Sequence, residues 1–258
     1  MILHRISKAV REQNWFAVVL EFVIVIAGVV IGFQIAAWND ARQRDAITAT
    51  YYQRLIDDLR VEQRNMLELT AYYQEVRRIG LATLRALEDP DGQLQEGFLI
   101  SAYQASQIRY YTPQRATYEE LLSTGIATVI PDSNVRTLLA NYYLTLENAD
   151  SAHDETTPYR DRLRTFLPYQ MQNLVRSNCG ETFEFGPDGS LNVELVTDCE
   201  LAAPAGLVEQ SLAALNSYEE MERDLGRHLS NIDLKLASLS AYLDSTRNTL
   251  AAMERVQP

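Results

Sequence analysis

Hydrophobic residues form one uninterrupted run near the start of the chain and a helical pattern over most of the remainder. Between Phe16 and Ala37 the strongly polar residues are Glu21 and Gln34 alone. As an α-helix this run is about 33 Å long, close to the thickness of a bilayer's hydrocarbon core. Signal-peptide hydrophobic regions are shorter, at about 7 to 15 residues, and no small-x-small cleavage site follows the run. The pattern therefore predicts a retained transmembrane helix.

Two long amphipathic helices are predicted beyond this anchor. Between residues 52 and 87 apolar residues recur at spacings of three and four or their sums, which gives one apolar stripe. The stripe comprises Tyr52, Leu55, Leu59, Met66, Leu69, Tyr73, Val76, Leu84 and Leu87. Residues 39 to 79 contain no glycine or proline, so the anchor is expected to continue directly into this helix and to stop at Asp89-Pro90-Asp91-Gly92. A similar spacing over residues 225 to 253 predicts a last helix packed antiparallel against the first.

Shorter elements are predicted in the middle of the chain. Residues 95 to 109 are expected to form a second helix that ends before Pro113. In the segment TYEELLSTG, Thr117 and Glu120 match a capping box, and Gly125 matches the glycine that ends a helix.

Prolines and turn residues punctuate the region after residue 132. Two helices or one kinked helix are expected over residues 133 to 176, capped by Asp132 or Ser133 and interrupted at Pro158 and Pro168. The alternating segment 181–198 predicts a small β-hairpin. The fold class is therefore mainly α: a transmembrane helix that continues into an antiparallel bundle of long helices, with one small hairpin.

One face of the anchor carries its acidic residue and its glycines. At 100° per residue, eight residues lie within about 40° of one line, whereas Gln34 points nearly the opposite way. These eight are Asn14, Ala17, Glu21, Val25, Gly28, Gly32, Ile35 and Asn39. The predicted contact face comprises Glu21, Val25, Gly28, Gly32 and Ile35. The GxxxG spacing permits close approach of two helix backbones in lipid, and an ionisable group in a membrane usually faces protein or water. The face predicts a helix–helix contact; the alternative is that Glu21 extends toward the headgroups beside Trp15.

The charges that flank the anchor predict its orientation. Trp15 and Trp38 lie just outside the two ends of the apolar run, where indole rings favour the headgroup level. Three basic residues precede the run, within residues 1–15, and give a slight positive-inside bias. The prediction is a cytoplasmic tail over 1–15, an anchor over 16–38, and an extracytoplasmic body over 39–258.

The two cysteines bear on the same question. Cys179 and Cys199 lie in a region rich in Gly, Pro, Asn and Asp, and a bridge between them would close a loop of about 20 residues. Disulfides persist outside the cytosol, so a bridged pair and an exterior body support each other. Two buried free thiols are the alternative.

Charge and motif content exclude several classes of function. The formal net charge is −12, and removal of the residues through Trp38 leaves 20 basic and 33 acidic residues, a net of −13. Such a body repels nucleic acid, so no nucleic-acid partner is expected. No catalytic motif and no close cluster of histidines and cysteines occurs, so no enzyme activity, cofactor or metal site is predicted. An acidic set, Glu147, Asp150 and Asp154, is typical of a solvated helix face.

The chain resembles an uncharacterised family of bacterial single-pass membrane proteins. The resemblance rests on EFVIVIAGVVIGFQIAAWND in the anchor and on TYEELLSTG and VRTLLANYY in the body. The matching residues are Glu21, Gly28, Gly32, Gln34, Trp38, Asn39, Glu119, Leu121, Ser123, Gly125, Tyr142 and Tyr143. The family has an anchor that begins at a glutamate and ends in Trp-Asn, followed by an all-helical body of unknown function. The resemblance implies the topology and leaves the activity open.

Two functional hypotheses remain. The first is an interaction protein whose anchor associates with itself or with the helices of a larger membrane complex, and whose acidic bundle stands outside. The second is an extracytoplasmic ligand-binding module that uses the interior of the bundle.

Overall fold

The computed structural model describes residues 15–89, 94–125, 130, 132–153, 155–187, 191–196 and 198–256. Within these ranges it contains eight α-helices and one two-stranded sheet. In chain order the helices are α1 Trp15–Glu88, α2 Glu96–Ala105, α3 Ala116–Ser123, α4 Ser133–His153, α5 Pro158–Phe166, α6 Tyr169–Asn178, α7 Ala205–Asn216 and α8 Met221–Arg255. The strands are β1 Thr182–Phe185 and β2 Leu191–Glu194. The predicted mainly α fold with a small hairpin is confirmed.

Helix α1 runs without interruption through the predicted anchor and into the body. The chain divides into two compact units after Tyr51, so α1 contributes to both. From Tyr52 to Val76 every member of the predicted apolar stripe is buried, and Leu84 and Leu87 are partly buried against the core. The helix ends at Glu88, as the turn sequence that begins at Asp89 predicts; Pro90, Asp91 and Gly92 lie outside the described residues.

Helix α8 packs against the part of α1 that belongs to the body. Arg60 Nη2 lies 2.8 Å from Glu254 Oε1, near one end of the contact. Near the other end, Arg77 Nε lies 2.5 Å from Asp233 Oδ1. The residue number therefore rises along α1 as it falls along α8, which confirms the predicted antiparallel packing of the two long helices.

The segment around α2 and α3 differs from the prediction in two ways. Helix α2 ends at Ala105 rather than at residue 109, because the following backbone leaves the helical path and is held to α1 by other contacts, described below. The predicted capping box is wrong: α3 begins at Ala116, and Thr117 lies inside its first turn, 3% exposed, without a capping hydrogen bond. Glu120 instead forms an ion pair with Arg54, 2.6 Å away. Gly125 does follow the end of α3, with a φ of +69° that suits glycine.

Among the described residues from 133 to 178, which leave out residue 154, the chain forms three helices instead of two or a kinked one. Asp132 caps α4, since its Oδ1 accepts a hydrogen bond from the Asn134 amide at 2.7 Å. Pro158 is the first residue of α5, and Pro168 immediately precedes α6. Each proline therefore starts a helix, where its missing N–H costs nothing, rather than bending one.

The hairpin and the following helix complete the body. Strands β1 and β2 pair antiparallel, with Phe183 opposite Val193 and Phe185 opposite Leu191. Helix α7, which the sequence patterns did not predict, buries Leu215 at 3% exposed against a core that includes Met171 of α6.

Candidate functional site

The anchor segment presents apolar side chains to its surroundings. Every residue from Val19 to Asp40 is exposed, and Phe22, Ile24 and Phe33 are more than 60% exposed. Within the described residues, one helix is long and apolar enough to cross a membrane, and this segment is its apolar part. Soluble proteins rarely leave a continuous apolar surface of this extent in water, so lipid or protein must cover it.

The five residues of the predicted contact face lie on one side of this continuous helix. Glu21 and Ile35 are exposed, as is Val25, which is 62% exposed. At Gly28 and Gly32 an added Cβ would meet no atom within 4 Å. The glycines therefore form a shallow groove on the same face as the carboxyl group, which is the shape that permits a second helix to approach closely. Val30 lies on the opposite side, 180° around the helix from the line through Glu21.

The carboxyl-terminal end of the apolar run carries an interacting tryptophan and arginine. Trp38 is 64% exposed, and the Arg42 guanidinium lies 5.7 Å from the centre of its ring. A cation over an indole face at the end of an apolar helix suits the headgroup region, where both groups find polar partners. Trp15 is the first described residue of α1, and its side chain lies outside the described part.

Cys179 and Cys199 form a pair at disulfide distance, with sulfur atoms 2.10 Å apart and Cα atoms 5.6 Å apart. Cys179 is fully buried at the end of α6. The side chain of Gln104, from α2, donates hydrogen bonds to the carbonyl oxygens of Cys179 and Val196, the latter at 3.0 Å. The cross-linked loop is therefore also fixed to the helical core.

A polar network in the body, absent from the sequence-based site, centres on Glu62 of α1. Glu62 is 1% exposed, and its carboxylate accepts hydrogen bonds from the Tyr111 hydroxyl and from the Gln114 amide, the latter at 2.9 Å. Burial raises the pKa of Glu62 to about 7, against the opposing effects of the Gln114 amide and the Arg115 charge. The residue stands three positions after Leu59, on the apolar face of α1. A glutamate on an apolar stripe is the sequence signal that could have found it.

Hydrogen bonds to Glu62 and Tyr73 hold an extended segment, residues 107–115, against α1. The Tyr73 hydroxyl donates to the Arg109 carbonyl at 2.8 Å and accepts from the Arg109 amide at 3.2 Å. Together with the bond from the Gln114 amide to Glu62, these contacts satisfy backbone groups that a helix over this segment would have satisfied internally. They explain why α2 ends at Ala105.

Where this extended segment meets the hairpin, a pocket of about 230 Å³ opens beside α1. Its lining includes Asn65 and Leu69 of α1, Arg109 and Tyr110 of the segment, and Phe185 of β1. Arg109 Nη2 donates to the Leu191 carbonyl at 3.2 Å and so ties the hairpin to the segment. Burial lowers the pKa of Arg109, while the negative charges of Glu181 and Glu68 oppose this effect.

A second buried ionisable group lies on α8. His228 is 1% exposed, and its Nδ1 lies 2.5 Å from the Thr157 hydroxyl. Burial lowers its pKa to about 4, and the positive charges of Lys235 and Arg160 act in the same direction. The imidazole is therefore neutral at physiological pH and serves packing and hydrogen bonding.

Few features of the body suggest catalysis or metal binding. No group of three or more His, Cys, Asp or Glu side chains in the described residues is arranged to hold a metal ion. The acidic set at residues 147, 150 and 154 lies outside the residues whose side chains are described. Tyr142 and Tyr143 are both buried, and Tyr143 stacks on Tyr118 at 4.0 Å, which is core packing rather than an open aromatic cage.

Comparisons with known proteins supply no identity. No known protein family matches the chain, and no curated protein or solved structure shows significant similarity to it. The resemblance to bacterial single-pass proteins therefore stays a prediction, and the function rests on the anchor and the body themselves.

Proposed function

We propose that this protein is a single-pass protein of the bacterial inner membrane, and that its anchor associates with a second transmembrane helix. The partner helix belongs to a second copy or to a larger membrane complex, and the acidic helical body stands outside the membrane. The observation that carries the proposal is the anchor itself: a continuous helix in which every residue from 19 to 40 is exposed and most are apolar.

Insertion in lipid accounts for the apolar surface as a whole. Lipid hydrocarbon solvates exposed valine, isoleucine and phenylalanine side chains at no cost in free energy, and a continuous helix satisfies its own backbone hydrogen bonds in the membrane. The Trp38–Arg42 pair suits the adjoining headgroup layer.

Lipid alone does not account for Glu21. A carboxyl group that faces hydrocarbon is costly whether it is ionised or neutral and without a partner, so it favours a position against protein. Gly28 and Gly32 share its face and are open to contact. A second helix on this face would bring a hydrogen-bonding partner to Glu21 and pack its backbone against the glycines.

Two features support placing the body outside. The positively charged residues before the anchor favour a cytoplasmic amino terminus. The pairing of Cys179 with Cys199 suits an oxidising compartment. The resemblance to a family of bacterial single-pass proteins supports the same topology.

Size measurement in a gentle detergent tests association. The full chain is expected to migrate as an oligomer or complex. Glu21→Ala and the double variant Gly28→Leu/Gly32→Leu should reduce that form, whereas Gln34→Ala, on the opposite side, should retain it. A monomer that is unchanged by every substitution would contradict the proposal.

Thiol labelling tests orientation separately. In intact cells, a membrane-impermeant maleimide should label Cys199, which is partly exposed, only after reduction. If labelling required both lysis of the cells and reduction, the body would lie in the cytoplasm.

A further inference from the structure

The pocket between α1, the extended segment 107–115 and the hairpin has the character of a ligand site. Its volume of about 230 Å³ is small, below the usual range for drug-sized ligands and suited to a single ring. Its wall is assembled from three elements that are otherwise fixed: α1 by core packing, the segment by Glu62 and Tyr73, and β2 by Arg109. The pocket is therefore preformed.

Two residues that line the pocket each carry a polar atom that is unpaired among the described residues. Arg109 Nη1 and Asn65 Oδ1 are both buried, and neither has a hydrogen-bond partner in the part of the chain that the structure describes. The other terminal nitrogen of Arg109 is held by the Leu191 carbonyl, so the guanidinium keeps its orientation. Buried polar atoms are rarely left unpaired, and here a donor and an acceptor line the same pocket.

The charge around Arg109 selects against an anion. The carboxylates of Glu181 and Glu68 act on the guanidinium, so an anion bound beside Arg109 would also meet the repulsion of two negative charges. The Tyr72 hydroxyl donates to Glu181 and keeps that carboxylate in place. A neutral group that both accepts and donates hydrogen bonds fits better, and a hydroxyl does both: its oxygen accepts from Arg109 Nη1 and its hydrogen donates to Asn65 Oδ1.

Exposed aromatic rings border the same pocket. Tyr110 is 63% exposed and Phe185 is 77% exposed, although both are large rings that usually bury most of their surface. A flat ring with apolar C–H faces and hydroxyl groups at its edge would cover such an aromatic face and reach the polar atoms together.

From these observations we propose that the pocket binds a neutral saccharide ring. Its hydroxyls bridge Arg109 and Asn65, and its C–H face packs on Phe185 or Tyr110. The inference is independent of association through the anchor, and it gives the hypothesis of a ligand-binding body a specific location and a ligand class.

Saturation-transfer NMR and calorimetry on the full chain test the proposal. The chain should be held in a polyoxyethylene detergent, because glucoside and maltoside detergents carry sugars themselves. The probes are glucose and N-acetylglucosamine as neutral single-ring saccharides, with cyclohexanecarboxylate as an anionic ring of similar size. We expect saturation transfer to at least one saccharide and none to the carboxylate.

Matched variants locate the site. Asn65→Ala and Phe185→Ala should each weaken saccharide binding at least tenfold. Phe183→Ala should leave it unchanged, since Phe183 lies two residues away on β1, is 58% exposed and does not line the pocket. Phe185 is exposed, so its replacement does not threaten folding. Three results would overturn the proposal: no saccharide transfer at millimolar concentration, preferential binding of the carboxylate, or equal effects of Phe183→Ala and Phe185→Ala.

Discussion

Replacing Glu62 by glutamine should remove a specific pH dependence from the stability of the body. Burial raises the pKa of Glu62 from 4.5 to about 7 in the folded state, so folding favours the neutral carboxyl. Between these two values the folded state binds more protons than the unfolded state, and stability therefore falls as pH rises. Above pH 7 both states are ionised and the loss is complete. The difference between the two pKa values corresponds to about 3 kcal/mol.

Glutamine mimics the neutral carboxyl at this position. Its carbonyl oxygen can accept from the Gln114 amide as Glu62 does, and it carries no charge to bury. We expect Glu62→Gln to match the wild-type protein near pH 4 and to exceed it by about 3 kcal/mol at pH 8. Urea unfolding of the full chain in detergent, followed by circular dichroism at several pH values, measures this difference.

The wild-type profile alone would hide the effect, because His228 has the opposite dependence. The pKa of His228 falls from 6.5 to about 4 on folding. Its contribution to the stability of the folded state is therefore present above pH 6.5 and is lost as pH falls toward 4. The difference between variant and wild type isolates Glu62. Glu119→Gln, at an exposed carboxylate, is the control. Its free energy of unfolding should differ from that of the wild-type protein by a small amount that does not grow between pH 4 and pH 8. If the free energies of unfolding of Glu62→Gln and the wild-type protein differed by the same amount at every pH, the assigned burial effect would be refuted.

Three further predictions concern the stability of the body. Reducing the disulfide should lower its free energy of unfolding by about 3 kcal/mol, the value expected for a closed loop of this length, as urea titration with and without reductant would show. Tyr159→Phe should cost about 1 to 2 kcal/mol in the same titration, because the fully buried hydroxyl donates to the Ala102 carbonyl at 3.0 Å; no change would mean that water replaces this bond. Asp233→Asn should change stability by less than about 1 kcal/mol, since its ion pair with Arg77 is about half exposed, and a larger loss would contradict this view of the pair.

The elements that the sequence predicted well are those that a local pattern defines. The apolar stripe from Tyr52 to Val76 specifies both a helix and its buried face, and the turn residues after Glu88 specify where it ends. The cysteine pair was predictable because the two cysteines flank one loop-rich segment of about 20 residues, which a bridge between them closes.

The missed features depend on contacts between distant segments. Thr117 matches a capping residue by spacing, but the core buries it inside α3, while Arg54 pairs with Glu120 from a different helix. The early end of α2 depends on Tyr73 and Glu62, which satisfy the backbone of an extended segment far along the chain. No local pattern carries that information, and the pocket at Arg109 exists only because of it.

Photocrosslinking in the native membrane tests the proposed association through the anchor face most directly. A benzophenone-bearing amino acid would replace Val25 on the glycine face or Val30 on the opposite face; both are valines, exposed at 62% and 46%, at similar depth in the apolar run. The proposal predicts a discrete protein crosslink from position 25 that Glu21→Ala weakens, and little or none from position 30. Equal crosslinking from the two positions, or none from either, would contradict it.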